Sequence, residues 1–336
     1  INLGPCDTGC VQGAKSSVDI TYWPHALRNG VKLKTHCRVR EITVNKMGRA
    51  TGVIYYDKKG TECQQKAHIV IIACNGVGTP RLLLNSSSVN FPDGLANRSG
   101  LVGKNLMLHP LGYVEGLFDE PLESHLGPEG CCLQSQEFYE TDKKRGFVRG
   151  YTMQILRGPG PIQTALSGIA RREIPWGVDH HREFASRFGR TIGMGIIVED
   201  LPELHNAVTL DPNIVDTNGI PAPKINYKMS ENTKKMLVHG LARGKEVMIA
   251  AGSSKNLVFG PVKKAGWHLM GTARMGKNPK NSVVNEWGRS HDISNLFIVD
   301  SSIFVTSAGV NPVSTMQALA LYIADTMKKN LKNLFN

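Results

Sequence analysis

Apolar and polar residues alternate in short stretches near the start of the chain and predict a helix followed by antiparallel strands. Residues 16–29 carry apolar side chains at near-helical spacing and end at Gly30, which predicts a helix with a glycine stop. Beyond Gly30 the period changes to two. Short strands are expected at 31–34, 39–44, 52–56 and 61–64. Together these stretches predict an antiparallel meander.

A run of apolar, largely β-branched residues follows at 69–73 and is typical of a parallel strand buried on both faces. The turn 75–78 contains two glycines, Thr79 is a good N-cap, and Pro80 suits a first helical position, so we expect a helix to begin there. A strand, a glycine turn and a helix N-terminus let backbone N–H groups approach a polar ligand. Ligand contact and plain packing of helix on strand both remain open.

The middle of the chain mixes strand patterns with helical ones. Strands are expected at 113–118, 147–156, 191–198 and 206–210, and helices at 180–188 and 231–251. This mixture predicts a separate α+β substrate-binding domain over 108–265. The remainder returns to α/β patterning, with a short buried strand at 296–299 and an amphipathic helix from Pro312. The sequence therefore predicts an α/β fold, α+β overall, in which 1–107 and 266–336 form one domain.

Composition and charge narrow the class of protein. The 336 residues include 40 Lys and Arg against 28 Asp and Glu, a net charge of +12 that could attract polyanions or acidic substrates. The basic residues are scattered singly or in pairs without interleaved aromatics, so no nucleic-acid partner is expected. No apolar run approaches the ~20 residues of a bilayer span, so no membrane span is expected in this chain.

The cysteines bear on compartment and metal binding. Seven cysteines cannot all pair and show no small-scaffold spacing, which favours a reducing compartment such as the cytoplasm. A periplasmic location stays open, because the chain begins at Ile1 with neither an initiator Met nor a signal segment. Cys6 and Cys10 could begin a zinc site, but no second His or Cys pair has matching spacing, so no metal is expected.

Candidate chemistry is densest in the glycine-rich stretch GWHLMGTARMG at 266–276, which contains His268. A lone histidine is more often structural than catalytic, but a companion segment follows. Asp300 ends a buried strand, where open α/β sheets place groups that hold ligand hydroxyls. Asn311 precedes the helix from Pro312, whose N-terminal N–H groups would face a ligand beside it. Spacing alone equally allows a turn acid at Asp300 and a plain helix cap at Asn311.

Several ordered motifs resemble the glucose-methanol-choline (GMC) flavoprotein oxidoreductases. They are the 266–276 stretch followed after 43 positions by Asn311, IVIIACNGVGTPRLLL at 69–84, and GKNLMLHP at 103–110. The segment 6–15 is similar to the gluconate-dehydrogenase-like bacterial branch. The chain contains no G-x-G-x-x-G. The resemblance therefore implies an FAD-binding Rossmann-like domain incomplete at its N-terminus, with an inserted mixed-sheet substrate-binding domain and weak FAD binding by this segment alone.

The resemblance also implies an activity: FAD-dependent oxidation of a CH–OH group of a sugar, polyol or other alcohol, with hydride transfer to flavin N5. His268 would accept the hydroxyl proton, and Asn311, beside it, would hold the substrate oxygen. In His109, by contrast, we expect a structural role at the start of the second domain. The residues expected to line FAD are Val39, Ala73, Cys74, Asn75, Asp300, Ser301, Asn311, Pro312 and Thr315.

Three questions stay open at this point. The electron acceptor could be oxygen, a quinone or a cytochrome. A non-catalytic basic binding protein derived from the same fold is the alternative function. For the substrate we expect a sugar, polyol or aldonic-type compound instead of a long apolar alcohol, because residues 134–154 carry many hydrogen-bonding groups that could be paired with hydroxyls.

Overall fold

The computed structural model describes residues 12–127, 131–262 and 266–334. The helices are α1 Tyr22–Arg28, α2 Asn75–Asn85, α3 Pro161–Ala170, α4 His180–Ala185, α5 Glu231–Ala250, α6 Val313–Lys329 and α7 Leu331–Leu334. The strands are β1 Arg38–Val44, β2 Ala50–Tyr56, β3 Glu62–Lys66, β4 Val70–Ile72, β5 Met107–His109, β6 Leu111–Leu117, β7 Cys131–Ser135, β8 Tyr151–Leu156, β9 Thr191–Val198, β10 Ala207–Val215, β11 Pro221–Asn226, β12 Lys255–Phe259, β13 Trp267–Met270 and β14 Leu296–Ile298. Single 3₁₀ turns occur at Lys143–Arg145 and Ser301–Ile303. The mixed α/β class expected from the sequence is confirmed.

The chain forms two compact units. Of the residues that the structure describes, the first unit contains those within 1–33, 110–198 and 231–265, and the second unit contains those within 34–109, 199–230 and 266–336. The three-segment division predicted from the sequence stays a prediction about domains. Within the described ranges, no helix combines the length and the apolar character needed to cross a membrane.

The first unit is built on a five-stranded antiparallel sheet with the order β12-β6-β9-β8-β7. Helix α5 packs on it through residues spaced three or four apart, which include Met236, Gly240 and Gly244. A Cβ on Gly240 would lie 2.5 Å from a methyl carbon of Ile196 on β9, so only glycine allows this close approach. The helical periodicity read at 231–251 therefore reflects a real buried face.

The second unit combines a three-stranded antiparallel sheet, β1-β2-β3, with the two-stranded pairs β10-β11, β13-β5 and β14-β4. The pair β14-β4 is parallel, with Leu296 opposite Val70 and Ile298 opposite Ile72. All three residues of β14 are fully buried in the core. Strand β4 alternates instead, because Ile71 is 53% exposed between two buried neighbours. The expectation that this strand is buried on both faces is therefore wrong for the described residues.

Two local predictions near the start of the chain are also wrong. The helix begins at Tyr22 and not near residue 16, and residues 31–34 form no strand. Helix α1 has no buried residue, so its periodic apolar side chains gain no packing energy that would extend it. Lys34 instead bonds through its ammonium group to the side chains of Tyr55 and Gln65.

Helix α2 begins at Asn75, five residues before the predicted first position Pro80. The side chain of Asn75 accepts the N–H groups of Val77 and Gly78 and so caps the first turn. Pro80 therefore lies inside the helix, where it cannot donate to the carbonyl of Gly76. The hydroxyl of Thr272 donates to that carbonyl at 2.7 Å. A tertiary hydrogen bond thus replaces the missing helical one, which the local pattern could not show.

Candidate functional site

The site is organised around two histidines that β5 and β13 bring together. These strands pair antiparallel, with Trp267 opposite His109 and Met270 opposite Met107, and their register is irregular between those pairs. His268 lies in the irregular stretch with φ of +55°, a left-handed conformation uncommon for a residue other than glycine. Its Nδ1 atom lies 2.7 Å from Nδ1 of His109. The two rings meet edge to face at 75°.

His109 is almost completely enclosed. It is 1% exposed, and its Nε2 atom lies 3.1 Å from the carbonyl oxygen of Ser307 and 2.7 Å from that of Ala308. Burial, followed by repulsion from His268, lowers the pKa of His109 to about 4, although the two carbonyls act in the opposite direction. His109 is therefore neutral at neutral pH. The structural role expected from the sequence takes no account of this contact with His268.

His268 has the properties of a base. Its side chain is partly exposed, and burial lowers the pKa of the imidazole, so the ring is neutral at neutral pH. Among the described residues, the bond to His109 is the one hydrogen bond of the ring. An imidazole with one engaged and one open nitrogen can accept a proton from a bound molecule.

A buried network fixes the loop 305–312 that holds His109. Ser307 is buried, and its hydroxyl donates to the carbonyl of Asp200 and accepts the Asp200 N–H, both at 2.9 Å. The Asp200 carboxylate accepts the N–H of Leu108 at 3.2 Å and the hydroxyl of Tyr227 at 2.9 Å. Burial, with the Asp200 charge, raises the pKa of Tyr227. Asp200 thus ties the loop to the strand that carries His109.

Asp300 follows β14, as predicted, but its carboxylate is used within the protein. One oxygen accepts the Cys74 N–H at 2.9 Å and the Thr79 hydroxyl at 2.5 Å, and the other accepts the Ser302 N–H at 2.8 Å. Although Cys74 is exposed as a residue, desolvation of its thiol, followed by the charge of Asp300, raises the pKa of that thiol. The carboxylate therefore joins the end of β4 and helix α2 to the 3₁₀ turn after β14.

Two further bonds connect this junction to the strand of His268. The hydroxyl of Ser301 donates to the carbonyl of Leu269 at 2.6 Å. A Cβ on Gly76 would lie 2.5 Å from the same carbonyl group, so the first turn of α2 packs directly on the β13 backbone. The residues around Asp300 thus support the backbone beside His268.

Most of the other predicted cofactor residues are exposed, and one is buried. Ala73, Cys74 and Asn75 are exposed at the carboxyl end of β4, and Val39 is 38% exposed on β1. Pro312 is buried.

Asn311 and Thr315, at the start of α6, are exposed. Pro312, and not Asn311, is the N-cap of α6, because the Pro312 carbonyl accepts the first helical bond from Met316. Pro312 itself makes no side-chain cap hydrogen bond. That His268 and Asn311 lie side by side stays a prediction.

In the sequence, two cysteines near the start of the chain were considered as zinc ligands. Cys6 and Cys10 lie outside the described residues. In the part of the chain that is described, no group of three or more His, Cys, Asp or Glu side chains could hold a metal ion.

Comparisons with known proteins identify relatives over most of the chain. Two family models described as GMC oxidoreductase match residues 2–111 and 202–320. The 2-methyl-1,2-propanediol dehydrogenase of Mycolicibacterium austroafricanum is 40% identical over 97% of this chain and 60% of its own length. The fructose dehydrogenase large subunit of Gluconobacter japonicus is 28% identical, with 90% and 55% coverage. The gluconate 2-dehydrogenase flavoprotein of Pantoea cypripedii is 26% identical, with 98% and 57%.

These coverages mean that the chain spans 55% to 60% of the length of these curated relatives. Among solved structures, one that addresses FAD modification in formate oxidase of Aspergillus oryzae aligns with a TM-score of 0.60 at 16% identity. That alignment covers 89% of this chain and 61% of the other. The likeness of fold agrees with the resemblance drawn from the sequence motifs.

Proposed function

The chain belongs to the GMC oxidoreductase family, and we propose that its protein oxidises a CH–OH group of a small polar alcohol, with His268 as the base. The family and its flavoprotein relatives indicate FAD as the cofactor. The observation that carries the proposal is the bond between His109 and His268, which holds a neutral imidazole in a fixed place. The activity of the whole protein is part of this proposal.

The residues of the second unit suit FAD. The backbone at 73–75 is exposed beside small side chains, and the first turn of α6 is exposed after its N-cap Pro312. A helix N-terminus offers N–H groups and partial positive charge to an electron-rich ring. When bound, FAD supplies the acceptor for the hydride. We expect Ala73, Asn75 and Thr315 to hold it, and Asp300 to act only through the backbone it supports.

His268 would remove the proton from the substrate hydroxyl. Burial lowers the pKa of its imidazole, so the base form predominates at neutral pH without help from another charge. General-base assistance of this kind is typically worth ~10²–10⁴-fold in rate. Its left-handed backbone is the type of strained conformation that proteins retain at functional sites.

Asn311 would orient the substrate. Its amide can donate to the hydroxyl oxygen, which would keep the O–H directed at His268. Asn311 lies in the same loop, 305–312, whose Ser307 and Ala308 carbonyls bind His109, so one loop serves both the orienting residue and the base. A hydrogen bond from Asn311 needs no charge and would not compete for the proton.

The proposed substrate is a short polyol, a sugar or a sugar acid. Support comes from the relatives, which are named for a propanediol, for fructose and for gluconate. The polar residues of 134–154 support it less, because Gln134, Gln136 and Glu137 are exposed. Tyr151 is buried but bonds through its hydroxyl to His239 at 2.8 Å.

A flavin spectrum and a substrate screen on the purified full-length protein test the proposal. We expect bound flavin, and reduction of an artificial electron acceptor with short diols, sugars or sugar acids. Turnover only of long-chain alcohols would overturn the substrate class but leave the reaction type standing. Bound flavin without turnover of any alcohol would favour a non-catalytic binding protein instead.

A further inference from the structure

We propose that His109 is a positioning residue that fixes the ring tautomer of His268, so that Nε2 of His268 is the nitrogen that accepts the proton. The inference deepens the proposed function and rests on His268 being its base. The tautomer of His268 follows from the hydrogen-bonding partners of the two rings, beginning at the buried carbonyls that contact His109 and ending at the partly exposed ring of His268.

Nε2 of His109 is the ring nitrogen at the buried end of the pair. Two carbonyl oxygens, those of Ser307 and Ala308, lie within 3.1 Å of this atom. A carbonyl oxygen can only accept a hydrogen bond, so this nitrogen must carry the hydrogen. The opposite assignment would bring a buried lone pair against two oxygens, which is unfavourable in a site that excludes water.

The two rings meet through their Nδ1 atoms. A neutral imidazole has one N–H and one lone pair, so Nδ1 of His109 must be the acceptor. His109 stays neutral because burial lowers its pKa to about 4. Nδ1 of His268, 2.7 Å away, must therefore donate. The lone pair of a neutral His268 then lies on Nε2, and a proton can be accepted there without breaking the bond to His109.

Hydrogen bonds hold the Ser307 and Ala308 carbonyls in place. Asp200 and Ser307 exchange two hydrogen bonds, and Asp200 also accepts the N–H of Leu108, the neighbour of His109. Ala308 is held at φ of +54°. The loop and the strand are therefore tied to each other, and the two carbonyls cannot turn away to let His109 exchange tautomers.

The identity of the partner has a chemical consequence. In serine proteases a carboxylate holds the N–H of the catalytic histidine and stabilises its charged form. Here the partner is a neutral imidazole, which fixes orientation but supplies no negative charge. His268 should accept the proton from the substrate hydroxyl and release it readily once the carbonyl product has formed.

Two variants of nearly equal size separate the two ring nitrogens of His109. In His109→Asn the amide oxygen can occupy the position of Nδ1 and still accept from His268. In His109→Gln the amide nitrogen can occupy the position of Nε2 and bond the carbonyls, but no acceptor faces His268. ¹⁵N NMR of the full-length protein, labelled at histidine, reports which nitrogen of His268 carries the hydrogen, whether or not a substrate is turned over.

We expect the wild type and His109→Asn to show the Nδ1–H tautomer of His268, and His109→Gln to show a mixture of both. With flavin retained, kcat should be roughly 10- to 100-fold lower in His109→Gln, a smaller loss than the ~10⁴-fold that follows removal of a tautomer-fixing carboxylate in a protease. Rescue by the asparagine variant would exclude a merely structural role, because both variants disturb the buried site.

An Nε2–H tautomer of His268 in the wild type would overturn the inference, and so would an unchanged tautomer in His109→Gln. Neither result would contradict the proposed alcohol oxidation. Conversely, absence of alcohol turnover in a protein with the expected NMR signals would overturn the proposed function and leave the hydrogen-bond assignment intact.

Discussion

The junction around Asp300 and the pair His109–His268 both join distant segments of the second unit, but they differ in how their hydrogen bonds end. At Asp300, both carboxylate oxygens are occupied by donors of the protein. At the histidines, the chain of bonds runs from two carbonyls through His109 and stops at a partly exposed ring. A closed network stabilises the fold, whereas an open-ended one leaves an atom for chemistry.

This difference explains why strain lies at the histidines. His268 and Ala308 adopt left-handed conformations, which cost of order 1–3 kcal/mol when a residue other than glycine is held there. Asp300 itself is an extended N-cap of the 3₁₀ turn. In the supporting junction Asn75 is also left-handed, with φ of +64°, but asparagine adopts this conformation more readily than alanine does. The reactive pair is held against local preference by its surroundings.

The largest expected effect comes from removing the imidazole of His268, where the chain of hydrogen bonds ends. His268→Ala in the full-length protein should lower kcat ~10²–10⁴-fold with flavin still bound, because the proton acceptor is lost while the Asp300 junction stays intact. Stopped-flow reduction of the flavin by substrate measures the step directly. Loss of the flavin together with activity would show that His268 supports the fold instead.

Breaking the closed network should affect stability first. Asp300→Ala removes the acceptor of three donors, two of them backbone N–H groups, and should lower the free energy of unfolding by about 2–5 kcal/mol. Thr79→Val removes one bond to the same carboxylate and the acceptor of a longer bond from the Cys74 N–H, and should cost about 1.5–3 kcal/mol. Urea unfolding measures both. Equal stability of the alanine variant and the wild type would refute the supporting role.

The buried histidine predicts a pH dependence of stability. The pKa of His109 is about 4 in the folded protein, against an ordinary value near 6.5, so the unfolded chain binds its proton first on acidification. The stability gained from a neutral His109 is complete above pH 6.5 and falls by up to about 3 kcal/mol as the pH drops toward 4. Thermal unfolding across this range should show a shallower decline in His109→Asn, which keeps the His268 contact. Parallel curves for the two proteins would contradict the prediction.

The smallest expected effect concerns the contact that links the two regions. Gly76→Ala places a methyl group 2.5 Å from the Leu269 backbone and should cost about 1–3 kcal/mol as the chain beside His268 shifts. The matched control is Gly60→Ala, in a turn where an added Cβ meets nothing within 4 Å but φ is +77°. We expect only the Gly76 variant to change kcat. Identical kcat in both would mean that the Asp300 junction does not position His268.

Much of the secondary structure could be predicted from local pattern. The helical face at 231–251, the alternation at 39–44 and the short strand at 296–299 all correspond to observed elements. These segments bury their apolar faces, so pattern and packing agree. Prediction failed at 16–21 and 31–34, where similar patterns find no core to pack against.

The sequence motifs also identified the two segments that pair at the histidines. The stretch that contains His268 and the GKNLMLHP motif that contains His109 form the paired strands β13 and β5. Neither stretch was predicted as a strand, because each strand is only three or four residues long and one stretch is rich in glycine. Glycine and short length weaken any pattern of period two. Motif resemblance, and not periodicity, was the signal available there.

By itself, then, the sequence determined the mixed α/β class, the principal helices and strands, and the family, because these depend on local preference, burial pattern and motif order. Only the tertiary structure decided that His109 contacts His268, 159 positions away, and that the carboxylate of Asp300 serves three donors of its own chain. Hydrogen bonds of this kind depend on strand pairing and on left-handed backbone positions that burial imposes. No local pattern of residues encodes which nitrogen of a ring will be left open.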